Sequence, residues 1–131
     1  MESNEQAVVE NQEDSIEVPE ETGVEDTFTY RLIVEKRDYL SYCKGHDGDY
    51  TLVYSVNGGV TYTVLLNRMG LNLFNNQPTV IARYYDIMDV QVGDVITYSY
   101  SYYNTYFQDK EPSIVKGKAV VDGPNVPEEE N

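Results

Sequence analysis

Residues 93–112 read GDVITYSYSYYNTYFQDKEP, and their strict two-residue alternation constrains the fold more than any other feature of the chain. Ile96, Tyr98, Tyr100 and Tyr102 fall on one parity, while Val95, Thr97, Ser99 and Ser101 fall on the other. A strand with that pattern has one aromatic face and one small, hydroxylated face. It folds only against partners that cover the aromatic side. The run then passes into a polar loop that still carries Tyr103, Asn104, Tyr106, Gln108 and Asp109. Aromatic planes beside amide and carboxylate groups suit a sugar, whose ring faces are apolar and whose edges are hydroxylated.

Other strand signals follow the same rhythm with almost no helical period. TFTYRLIVEK (27–36) alternates Phe28, Tyr30, Leu32 and Val34 against Thr27, Thr29, Arg31 and Ile33. YTLVYSV (50–56) and VTYTVLLNR (60–68) flank Asn57-Gly58-Gly59, whose residues accept the positive φ of a tight hairpin. LNLF (71–74), TVIARYYDIMDV (79–90) and SIVKGKAVV (113–121) add further strands, with turns expected at NNQP (75–78) and QVGD (91–94). Seven or so short strands without intervening helices predict an all-β fold, a single antiparallel β-sandwich of immunoglobulin-like or jelly-roll-like form. Inside it Tyr98, Tyr100 and Tyr102 are expected to pack between the sheets with their hydroxyls toward the rim.

The formal charge of −14 is unevenly placed. Residues 1–26 hold ten acids and no Lys or Arg, and 122–131 hold four more acids, so 27–121 carries nine acids and all nine bases. The expected organisation is an acidic, disordered N-terminal tail (1–26), a formally neutral sandwich (27–121) and an acidic C-terminal tail (122–131). Without a basic patch, nucleic-acid binding is not expected. The N-terminal residues lack a signal-peptide pattern, and no stretch approaches the roughly 18 apolar residues of a membrane span. The expectation is a protein made in the cytosol, with unconventional release or a cell-surface location left open.

Candidate chemistry outside the Tyr-rich loop is thin. KGHDGD (44–49) gathers His46, Asp47 and Asp49, a set compatible with calcium but lacking the EF-hand spacing. His46 is read there as a polar surface residue, and Cys43, the single cysteine, as a small buried side chain. Asp94 is expected to shape its turn. Carboxylates at Asp86, Asp89, Asp94, Asp109 and Glu111 have no spacing that supports paired acid and base chemistry. No catalytic group, metal or cofactor is predicted.

Two motifs resemble a known family. Val56-Asn57-Gly58-Gly59, followed by Gly93-Asp94, Ile96, Tyr98, Tyr100 and Tyr102 and then a loop with Tyr106 and Asp109, is similar to the β-1,3-glucan-binding carbohydrate modules and the slime-mould hemagglutinins. The likeness covers roughly residues 50–112, and the chain departs from it in having no Trp. It implies a non-enzymatic lectin that binds β-glucan or cell-surface glycans, with possible self-association. The ligand-binding residues expected on the combined reading are Tyr84, Tyr85, Tyr103, Asn104, Tyr106, Gln108 and Asp109. The alternative is a protein-interaction or structural sandwich that uses its Tyr-rich surface.

Overall fold

A computed structural model describes residues 26–127. Chain order is β1 (Phe28–Asp38), α1 (Tyr39–Cys43), β2 (Tyr50–Val56), β3 (Tyr62–Leu65), β4 (Asn67–Phe74), β5 (Gln77–Val90), β6 (Val95–Tyr102) and β7 (Ser113–Val120). These form a three-stranded sheet, β1-β5-β4, and a four-stranded sheet, β3-β2-β6-β7. Every strand pair is antiparallel. The all-β sandwich expected from the alternation is the observed class.

Alternation decides what enters the core. In β2, Tyr50, Leu52 and Tyr54 are buried while Thr51, Val53 and Ser55 are only half-buried. Their β6 partners Tyr102, Tyr100 and Tyr98 lie directly opposite. Tyr100 is buried, whereas Tyr98 and Tyr102 are partly buried and pack against the core formed by Leu32, Leu52, Ile87, Ile96 and their neighbours. Tyr98 lies over Gly117 of β7, where an added Cβ would come within 2.4 Å of its hydroxyl. The tyrosine face of β6 is therefore mainly packing, as the pattern predicts.

The stretch 60–68, which reads as one strand, is divided. It breaks at Leu66, a buried residue whose amide donates to the Tyr50 carbonyl at 2.9 Å, and the chain there leaves one sheet for the other. An alternating pattern looks the same on both sides of such a crossing. The turn at 75–78 is also narrower than read. Asn75 and Asn76 both have positive φ, 53° and 64°, and Phe74 pairs with Gln77, so Pro78 already belongs to β5. Two positive φ values are what a two-residue hairpin requires.

The hairpin after β2 and the turn before β6 are joined. Asn57 (φ 53°) and Gly58 (φ 72°) make the tight turn, with Gly59 donating to the Val56 carbonyl at 2.9 Å. Asn57 donates through Nδ2 to Asp94 Oδ1 at 3.0 Å, and its Oδ1 accepts from the Val95 amide at 2.8 Å. Asp94 Oδ2 in turn accepts from the Gln91 amide at 2.9 Å. Asp94 shapes its turn as expected, and Asn57 ties that turn to the hairpin.

Two expectations are corrected around α1. Cys43 is exposed rather than buried. The aromatic stretch before it winds into a helical turn capped by Asp38, which accepts from the Ser41 amide at 2.9 Å, so strand alternation no longer aims Cys43 inward. His46, read as a surface residue, is buried. Beyond β7, Asn125 clasps the Arg31 backbone, accepting from its amide at 2.6 Å and donating to its carbonyl at 3.0 Å. The acidic stretches 1–25 and 128–131 lie outside the described residues. Among the described residues no helix is long and apolar enough to cross a membrane.

Candidate functional site

The loops at the β2 N-terminus and the β6 C-terminus meet at one end of the sandwich, over a buried polar floor. A register shift between Ile33 and Glu35 sets Glu35 opposite Arg83. Arg83 is only 4% exposed. Its guanidinium lies 4.3 Å from the centroid of the Tyr50 ring, and its Nη2 donates to the carbonyls of His46 at 2.8 Å and Gly48 at 2.7 Å. Arg83 thus holds the 44–49 loop from beneath. Its Nε is buried with no partner among the described residues.

Glu35 organises the rest of the floor. It accepts from Arg37 Nη2 at 2.6 Å and from the Tyr100 hydroxyl at 3.2 Å. Burial first, and then the Glu35 carboxylate, push the Tyr50 and Tyr100 hydroxyls far above the usual phenol range, so both remain protonated donors. His46 Nδ1 sits 2.9 Å from the Tyr50 hydroxyl, and the ring leans against Tyr102 with centroids 5.2 Å apart. Burial, followed by the nearby Arg37, holds the imidazole pKa below its ordinary value. A neutral ring that accepts at Nε2 from Asn104 Nδ2, 3.5 Å away, carries its proton on Nδ1 and donates it to Tyr50.

Asn104 links floor to rim. It is buried, its Oδ1 accepts from the Phe107 amide at 3.1 Å, and its own amide donates to Asp109 Oδ2 at 3.3 Å. Gly45 makes room for it, because a Cβ there would fall 2.0 Å from Asn104 Oδ1. Gly45 also has φ 103°, a conformation glycine adopts freely. Asn104 and Asp109 are therefore engaged in holding the loop. The rim above them is different. Leu40, Ser41, Lys44, Tyr106 and Phe107 surround a depression of about 380 Å3 into which His46 and Asn104 also open. Tyr106 and Phe107 are 66% and 70% exposed and stand edge to face, 5.1 Å apart at 83°.

The other expected residues are dispersed. Tyr103 is exposed on the same loop, as is Gln108, which adopts φ 53°. Tyr84 and Tyr85 point to opposite faces of β5, as adjacent strand residues must. Tyr84 lies under the Arg31 guanidinium at 4.2 Å and borders a polar depression with Asp47, Asp49 and Arg68. Tyr85 faces inward onto Tyr54. The structure thus brings Asn104 and Tyr106 together and sets Tyr84 and Tyr85 at two other places. Leu40, Lys44, His46 and Phe107 join the depression without having been expected there. Among the described residues no group of three or more His, Cys, Asp or Glu side chains converges to hold a metal.

Comparison with protein-family models, with curated proteins and with solved structures finds no match to this chain.

Proposed function

We propose that the protein is a non-enzymatic carbohydrate-binding protein whose site is the depression under Tyr106 and Phe107. The observation that carries this reading is the exposed, mutually perpendicular Tyr106–Phe107 pair above a polar floor. One ring offers a face to the apolar side of a sugar, while Ser41 and Lys44 supply polar groups at its edge. A volume of about 380 Å3 suits one or two sugar units better than a long chain. Single sites of this shallow kind bind weakly, so agglutination would need several sites or self-association.

A glycan array with hemagglutination and competition by free sugar tests the proposal. Binding that disappears in Tyr106→Ala and survives in Tyr106→Phe supports it, and the absence of any glycan binding at millimolar sugar refutes it. Leu40, 74% exposed beside Phe107, favours a second reading in which the same depression receives an apolar side chain of a protein partner. That reading predicts that Leu40→Ser matters as much as Tyr106→Ala.

A further inference from the structure

The open edge of the sandwich beside β3 holds a second depression, of about 460 Å3. Tyr54 of β2 and Tyr62 of β3 are cross-strand partners, and Tyr85 reaches them from β5 in the opposite sheet. Their rings make a continuous wall. The Tyr54 and Tyr62 centroids are 5.2 Å apart at 28°, and those of Tyr54 and Tyr85 are 5.9 Å apart at 41°. Tyr54 is buried, while Tyr62 is 50% exposed, so the wall ends in an accessible ring. Val60 and Met88, both exposed, extend it with apolar groups.

Asp89 stands at the rim of this cleft. It is exposed and adopts φ 62°, within the register shift between Phe28 and Tyr30. A left-handed conformation at a residue other than glycine is uncommon and is retained where its surroundings enforce it. The residues lining the cleft include Asp86 and Asp89 but no Lys or Arg. All nine basic residues of the chain lie within 27–121, and none pairs with Asp89 among the described residues.

On the neighbouring face the protein uses the same two ingredients for a cation of its own. Arg31 lies over the Tyr84 ring and is chelated by Asp86 through bonds of 2.8 and 2.9 Å. Tyr85, one residue beyond Tyr84, and Asp89, three beyond Asp86, repeat the pairing of tyrosine and carboxylate in a lining that holds no Lys or Arg. We propose that the cleft between Tyr62, Tyr85 and Asp89 binds a compact organic cation, an alkylammonium or guanidinium group. The negative ring faces attract the charge, the carboxylate neutralises it, and alkyl substituents pack on Val60 and Met88. Asp89 gives a cation a Coulomb attraction that a neutral sugar lacks. The proposal is independent of the carbohydrate reading, since it concerns different residues.

The test is a titration of the full chain with tetramethylammonium chloride, butylguanidinium chloride and, at matched ionic strength, sodium chloride, followed by amide NMR. Saturable shifts at Tyr62, Tyr85 and residues 87–90 with either organic cation, but not with sodium, are expected. Preference for tetramethylammonium would identify a quaternary amine as the natural group, and preference for butylguanidinium an arginine-like one. Tyr62→Leu and Asp89→Asn should each weaken binding about tenfold, the scale of one partly desolvated cation–π or ionic contact. Asn tolerates the positive φ at position 89, so the second variant keeps the local backbone. Shifts that follow ionic strength alone, or affinity unchanged in both variants, would overturn the proposal.

Discussion

Replacing Gly45 by Ala should be among the most damaging one-methyl changes in this protein. Two independent costs add. At φ 103° an L-residue is forced into a sparsely populated region, which costs of order 1–3 kcal/mol. The new Cβ would also lie 2.0 Å from Asn104 Oδ1 and 2.5 Å from its Cγ, so the carboxamide must turn away. It then loses the bond from the Phe107 amide and the contacts to His46 and the Lys44 carbonyl. At roughly 0.5–1.5 kcal/mol for each well-formed bond, that adds about 1–2 kcal/mol. The expected total is about 2–5 kcal/mol, or a melting point lower by roughly 8–20 °C at about 4 °C per kcal/mol for a domain near 100 residues. Gly58→Ala is the control, since Gly58 has φ 72° and nothing within 4 Å of an added Cβ. It should pay the backbone cost alone. Thermal unfolding followed by circular dichroism reads both, and Asn104→Gly should cost less in the Gly45→Ala background than in the native chain, because the bonds it removes are already lost there. Equal melting of Gly45→Ala and Gly58→Ala would refute the claim that Asn104 is pressed onto the 44–49 loop.

Further outcomes follow from the same geometry. Tyr106→Ala should abolish glycan binding with little change in melting, and Tyr106→Phe should retain it; calorimetric titration paired with thermal melts checks both. The folded-state pKa of His46 is lowered, mainly by burial, so below about pH 6.5 the unfolded chain takes up a proton that the folded chain resists. Stability should therefore fall as pH drops through the region between about 6.5 and the lower folded value, and His46→Gln should flatten that part of a pH series of denaturant midpoints. Asn57→Ala removes the bonds to Val95 and Asp94 and places Ala at φ 53°, for a loss of about 2–3 kcal/mol. Asp94→Ala should add less than its full effect to that variant, as a double-mutant cycle of melting would show.

The class of fold was legible because the tyrosine alternation of 96–102 and the Asn57-Gly58-Gly59 hairpin are local signals whose period and φ demands tertiary contacts do not alter. The division at Leu66 was not, since a strand that changes sheet keeps its alternation. Cys43 was misplaced for the converse reason. A five-residue helical turn is too short to show a period, and only the Asp38 cap, visible in the structure, explains it. In the candidate site, Tyr106 could be read from its place after the end of the alternation. The floor could not, because Glu35, Arg37 and Arg83 look like ordinary charges of solvated strand faces until the shift at Ile33 sets Glu35 across from Arg83. Buried charges leave no mark in composition, and the register that buries them is a property of two strands together.

The motif residues behind the resemblance are spread along the same two strands, with Asn57 and Asp94 at one end and Tyr106, proposed to bind sugar, beyond the other. Asn57 and Asp94 close the end where β2 leaves its sheet and β6 enters it, and they bond to one another. Tyr106 and Phe107 follow the far end of β6, some 25 Å away at about 3.3 Å per residue over its eight residues. Asn57 and Asp94 are thus accounted for by the architecture of two adjoining turns, whose hydrogen bonds any sandwich with this connection can use. A likeness in those two residues reflects turn geometry and does not fix the chemistry of the distant loop, where function is decided by the side chains that the fold presents. Tyr106, Phe107 and Leu40 are therefore the positions at which the carbohydrate reading stands or falls, and substitutions at Asn57 or Asp94 should change affinity only as far as they unfold the protein.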